Sequence, residues 1–226
     1  MVYFVGAGTG AEDLITVRGM RLLEQADVII YAGSLVNPKL LEYAGKDCKI
    51  YNSARMTLEE VIDRMTEAEK AGKKTVRLHT GEPSIYGAVR EQMDALEERG
   101  ISYESCPGVS ACFGAAAALN LEFTLPGVSQ SLIITRMEGR TAVPKKESIE
   151  SFAAHQTSMA IYLSTGMLEE LSRRLIAGDT AKIRPPHFAI KLPGRRKKII
   201  CARWGHLPRL PECTTSKRQH WYWWER

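Results

Sequence analysis

Apolar positions along the first 178 residues fall into two alternating patterns. Runs of β-branched and aromatic residues predict strands over Val2–Val5, Val28–Tyr31, Thr75–Leu78, Ile101–Ser105, Leu132–Thr135 and Met159–Leu163. Between them, apolar positions recurring every three to four residues predict helices over Ile15–Gln25, Leu58–Ala71, Ile85–Arg99, Val109–Leu119 and Met167–Ala177. Strands separated by helices point to α/β architecture with mostly parallel sheets. The helix edges carry their own signals. Thr57 followed by Glu60 reads as a capping box, and Gly72 and Gly100 stand where C-terminal caps belong. Leu121–Gln130, with Pro126 and Gly127, has no period and reads as a linker. The expected division is an N-terminal α/β domain over 1–120, the start of a second α/β domain over 121–178, and a tail over 179–226 expected to be poorly ordered.

Bulk properties narrow the class. A chain of 226 residues with 44% apolar content can bury one large core or two smaller ones. No apolar run approaches the roughly 18 residues a membrane span needs. VYFVGAG at the start reads as a strand entering a glycine turn, so no leader and no membrane association are expected. Five cysteines without CxxC spacing read as reduced thiols, which predicts a cytoplasmic protein without disulfides or a metal site. The net charge of +5 hides a break near Gly178. Residues 179–226 hold 12 Lys and Arg against 3 Asp and Glu, and all 4 tryptophans, whereas residues 1–178 are net acidic.

Three glycine-broken turns follow predicted strands. The first is FVGAGTGAEDLITVRG (4–19), whose glycines at 6, 8 and 10 let backbone approach a ligand without a Cβ between. A dinucleotide fingerprint is spaced differently and has an acidic residue after the second strand. Here the second strand runs into YAGSLVNP, which argues against a dehydrogenase. The second turn, RLHTGEPSIYGAVREQ (77–92), leads into a predicted helix start, where free backbone N–H groups suit an acceptor. His79 within it reads as a packed histidine. In the third, CPGVSACFGAAAALN (106–120), the alanine-rich stretch reads as a buried helix. Arg136 and Arg140, just past a predicted strand, are candidates for a guanidinium clamp on carboxylates, with a solvated basic loop as the plain alternative.

In this order and with these neighbours, the motifs resemble the tetrapyrrole methylase family. FVGAGTGAEDLITVRG is similar to that family's V-G-x-G-P-G-x-x-x-L-I-T-V-x-G, GEP to its GDP motif, and PGVS and IYLSTG to its third and fourth motifs. YAGSLVNP, TGEPSIYGAVREQ, SQSLIITRMEGRTAVP and TSMAIYLS resemble the C(11)-methylating branch, and the resemblance spans residues 1–178 almost continuously. It implies a two-lobed α/β fold with S-adenosyl-L-methionine held in a cleft between the lobes. The implied activity is methyl transfer to carbon 11 of precorrin-4 or cobalt-precorrin-4, by a homodimer. Carried across residue by residue, Thr9, Thr80, Gly81, Glu82, Ile85, Ser110, Ala111 and Leu163 would line the methyl donor. Arg136 and Arg140 would hold the substrate's acidic side chains. No catalytic base and no metal ligand are assigned. Thr9 stands where the family has proline and Glu82 where it has aspartate, so a looser first turn and an extra methylene in a tight loop are expected. A methylase acting on another ring carbon, or an impaired remnant of the family, are the alternatives.

The tail breaks the resemblance. Its mixture of cations and tryptophans has the composition of a nucleic-acid binder, but the genetic code offers a stronger reading. Tryptophan has one codon, so the DNA for Trp221–Glu225 is tightly constrained. Starting at the third base of the His220 codon, it must read Leu-Val-Leu-Val-Gly, which is similar to the family's closing strand. The same offset lets Ile183–His187 read Thr-Pro-Ala-Ala and Arg203–Leu207 read Leu-Gly-Thr-Leu. The expectation is therefore an out-of-frame tail from about Asp179, no nucleic-acid partner, and a C-terminal lobe left incomplete because a basic, proline-broken segment does not enter a sheet.

Overall fold

The apolar runs do become strands, and the amphipathic segments cover them. The computed structural model describes residues 1–178, 187–190, 198–201 and 222–223. Two compact units divide between Ala111 and Cys112.

In unit 1 the strands β1 (Val2–Gly6), β2 (Val28–Tyr31), β3 (Lys49–Asn52), β4 (Thr75–His79) and β5 (Tyr103–Cys106) form one parallel sheet in the order β3-β2-β4-β1-β5. Helices α1 (Val17–Glu24), α2 (Leu58–Lys70) and α3 (Arg90–Glu97) connect them. Alternation along each strand feeds two cores. Val2, Phe4, Val28 and Ile30 pack with Val61, Ile62 and Met65 of α2 and Leu96 of α3, while Val5, Ile29, Val76 and Leu78 pack with Leu23 and Leu40. A parallel sheet covered on both faces needs such runs. The predicted capping box forms: Thr57 Oγ1 accepts from Glu60 N, and Glu60 Oε2 accepts from Thr57 N. His79 is buried and stacked on Phe4, as a packed histidine should be.

In unit 2, α4 (Ala111–Leu119, whose first residue closes unit 1) precedes the linker, which has no helix or strand. Then follow β6 (Leu132–Arg136), α5 (Ile149–Ala153), β7 (Ser158–Tyr162) and α6 (Leu168–Gly178). Met137, Ile149, Ala153, Met159, Ile161, Leu171 and Leu175 form its core. The alanine-rich helix buries Cys112, Gly114, Ala115 and Ala116, in keeping with the buried-helix reading.

The tail departs from expectation. Strands β8 (His187–Ile190), β9 (Lys198–Cys201) and β10 (Tyr222–Trp223) complete a sheet in the order β6-β7-β10-β8-β9, so its backbone does enter the sheet. The open edge of β7 is a template for any strand-forming segment, and HFAI, KIIC and YW have that propensity. The expected poor order of 179–186, 191–197, 202–221 and 224–226 concerns residues outside those described. Among the described residues no helix is long and apolar enough to cross a membrane.

Candidate functional site

Because β1 lies between β4 and β5, the three glycine turns emerge side by side at the C-terminal ends of neighbouring strands. That is where ligands bind in open parallel α/β sheets. The turns are knitted together backbone to backbone. Gly8 N donates to Gly81 O at 3.3 Å and Gly81 N to Gly8 O at 2.9 Å, forming an isolated antiparallel bridge. A Cβ on Gly108 would stand 2.1 Å from Gly81 O and 2.7 Å from Gly6 Cα. No side chain fits there, so the third turn can approach the first only if both residues are glycine.

Side chains then fasten this knot. Glu82 Oε2 accepts from Gly108 N at 2.8 Å and its Oε1 from Ser84 N at 2.9 Å, tying the second turn to the third. The extra methylene expected to crowd this loop belongs to a side chain that spans two turns. Asn37, from YAGSLVNP, donates through Nδ2 to Gly10 O at 2.8 Å and holds the end of the first turn. The motif marks this stretch of sequence but not the contact that Asn37 makes. Thr16 caps α1 by accepting from Gly19 N at 3.1 Å.

Thr9 sits inside the first turn, 2% exposed, and its Oγ1 has no hydrogen-bond partner among the described residues. A buried hydroxyl left unsatisfied costs about 1–3 kcal/mol, a cost that a polar group of a ligand would offset. Thr80, Gly81, Glu82 and Ile85 lie on or just beyond the second turn, and Ser110 and Ala111 at the entry to α4. Seven of the eight residues expected at the methyl donor thus belong to unit 1, and the first and second turns that carry five of them are bonded to each other. The orphan hydroxyl and the glycine cradle suit a ligand that brings polar groups close to backbone.

The eighth, Leu163, belongs to unit 2, directly after β7, with left-handed backbone at φ 55° and a half-exposed side chain. Next to it Ser164 is fully buried; its Oγ donates to Tyr162 O at 2.7 Å and accepts from Met137 N at 3.1 Å, joining the exits of β7 and β6. Tyr162 OH accepts from Cys112 N at 3.0 Å, near the start of α4. The Arg136 guanidinium is turned onto its own loop, donating to Met137 O and Thr141 O at 3.1 Å and Ala142 O at 3.2 Å. Arg140 stands exposed on the loop so braced. Arg136 also lines a cavity of about 260 Å³ with Glu138, Lys145, Glu147 and Arg174. Arg174 in that cavity is already paired with Glu138, Glu150 and Glu170.

The profile of the tetrapyrrole (corrin/porphyrin) methylases matches residues 1–191. The chain belongs to that family. Among related methylases, the cobalt-precorrin-4 C(11)-methyltransferase of Methanocaldococcus jannaschii is 57% identical over 199 residues, 88% of this chain and 77% of that protein. The solved structure of a cobalamin biosynthetic enzyme, the cobalt precorrin-4 methyltransferase CbiF, superimposes with a TM-score of 0.86 at 39% identity, covering 92% of this chain and 87% of that one. A more distant methylase fold is that of uroporphyrin-III C-methyltransferase from Thermus thermophilus, solved with S-adenosylhomocysteine. It matches at TM-score 0.74 and 24% identity, over 91% of this chain and 84% of the other.

Proposed function

We propose that this tetrapyrrole methylase transfers a methyl group from S-adenosyl-L-methionine to carbon 11 of precorrin-4 or its cobalt complex. The observation that carries the reading is the knot of three glycine turns with the buried Thr9 hydroxyl, in a chain 57% identical to a methylase of that named activity. The bound donor supplies an electrophilic methyl on a sulfonium. The chain's task is to hold the donor with its methyl facing the nucleophilic ring carbon, and such positioning can contribute about 7–11 kcal/mol to the rate. In this reading Thr9, Thr80, Gly81, Glu82, Ile85, Ser110, Ala111 and Leu163 line the donor. Arg140 meets the substrate's acidic side chains from the loop that Arg136 braces. The working form is a cytoplasmic homodimer. The test is to incubate purified protein with S-adenosylmethionine and precorrin-4, with and without cobalt, and locate the new methyl by NMR. A methyl on another ring carbon would redirect the reading within the family, and no transfer with tight S-adenosylhomocysteine binding would favour an impaired remnant.

The tail supports a second reading, that codons from about Asp179 are out of frame. Tyr222–Trp223 pairs in parallel with both β7 and β8, an interior position that suits a continuous aliphatic run. The shifted frame gives Leu-Val-Leu-Val there. Resequencing codons 170–190 decides it: a missing base supports the reading, and an intact frame shared with a functional gene removes it.

A further inference from the structure

The segment between the second turn and α3 is folded more tightly than its sequence predicts. Helix is expected from Ile85, yet α3 starts at Arg90, and Tyr86 and Ala88 take left-handed backbone at φ 54° and 50°. A Cβ on Gly87 between them would lie 2.1 Å from Pro83 O. Two non-glycine residues so close together in this region are unfavourable, and surrounding contacts must impose the conformation.

Those contacts come from the core. The N-cap of α3, Val89, has no capping side chain. Instead Gln92, two residues into the helix, donates through Nε2 to Ala88 O at 3.0 Å and accepts through Oε1 from Arg77 Nε at 2.8 Å. Arg77, in the centre of β4, donates through Nη1 to Ile30 O of β2 at 3.1 Å. Arg77 and Gln92 are 6% and 5% exposed. A relay of three hydrogen bonds therefore runs from the sheet interior to the carbonyl of a left-handed residue.

Arg77 makes no ion pair among the described residues, and burial pushes its pKa down to about 10, which leaves it cationic near neutral pH. A buried cation without a counter-ion is unfavourable, and an apolar residue would pack there better. What the guanidinium provides is a planar donor set that fixes Gln92 in one orientation.

We infer that Arg77 and Gln92 are positioning residues, a buried strut that holds the 84–88 loop beside the Glu82 turn and thereby sets affinity for the methyl donor. The inference rests on the proposed donor site, because Ile85 of that site lies on this loop. Gln92→Met keeps the volume and removes both of its hydrogen bonds. In the full-length protein it is expected to raise the calorimetric Kd for S-adenosylhomocysteine about tenfold. Hydrogen exchange at 85–89 should accelerate while β1 and β4 stay protected. Adding Ala88→Gly should restore most of the affinity, since glycine takes a positive φ without the strut. An unchanged Kd in Gln92→Met overturns the inference. So does a loss that accompanies global deprotection and is not rescued by Ala88→Gly. If the unmodified chain fails to bind S-adenosylhomocysteine, the donor site falls instead, and exchange at 85–89 still decides whether the strut holds the loop.

Discussion

The loops at the strand ends of unit 1 lie backbone against backbone, whereas those of unit 2 are held by side chains. In unit 1, Gly6, Gly8, Gly81 and Gly108 leave no room for a Cβ or pair directly through N–H and C=O. In unit 2, Arg136 gathers three carbonyls, Ser164 joins two strand exits, and Tyr162 takes an amide of α4. Backbone packing tolerates no substitution, because a carbonyl cannot swing away as a side chain can. Side-chain bracing can be weakened by degrees and leaves the loop free to vary in sequence. The first arrangement suits a ligand that is the same in every turnover, and the second a loop shaped to one substrate.

Gly108→Ala is the sharpest way to break this contrast. Its methyl would stand 2.1 Å from Gly81 O, so a loss of about 3 kcal/mol or more is expected in urea unfolding, with S-adenosylhomocysteine binding abolished. A normal midpoint would mean that the turns do not need contact. Arg136→Ala comes next. Losing the charged bonds that close its loop should cost about 2 kcal/mol, only partly recovered by lysine, which lacks the planar fork. Unchanged stability with a raised substrate KM would return Arg136 to the clamp role first expected of it.

Glu82→Gln tests the side-chain fastening in unit 1. An amide can accept from Gly108 N or Ser84 N but not from both with full charge, so donor affinity should fall about fivefold, read by calorimetry. No change would leave the glycine contacts sufficient alone. Thr9→Val should be the mildest. It removes an unsatisfied hydroxyl, so the free protein should melt at the same or a slightly higher temperature while the donor Kd rises about threefold. Unaltered binding would show that the hydroxyl does not meet the donor.

Much of unit 1's site was legible because glycine has few other reasons to recur at strand ends. The three turns, the capping box and the buried alanine helix all rest on local chemistry within a few residues. The strut was invisible: Arg77 and Gln92 are ordinary residues until the sheet places β2 beside β4 and folds α3 over that face. Arg136 was noticed for its charge, but its bonds to Met137, Thr141 and Ala142 depend on how the loop returns. The predicted helix start at Ile85 failed for a related reason. Its apolar period is helical, but the fold bends the chain back onto Pro83 before α3 can begin.

The sequence by itself determined the alternation of strands and helices, the positions of the glycine turns and the family to which they belong, since these depend on residue type and spacing along the chain. Only the tertiary structure decided that the turns meet at Gly6, Gly8, Gly81 and Gly108, that Glu82 reaches across two of them, and that the tail's short apolar runs fill the edge of β7. These are contacts between segments tens of residues apart. Hydrogen-bond geometry and excluded volume act over a few ångströms of space, and a linear pattern carries no such distance until the sheet has set its strand order.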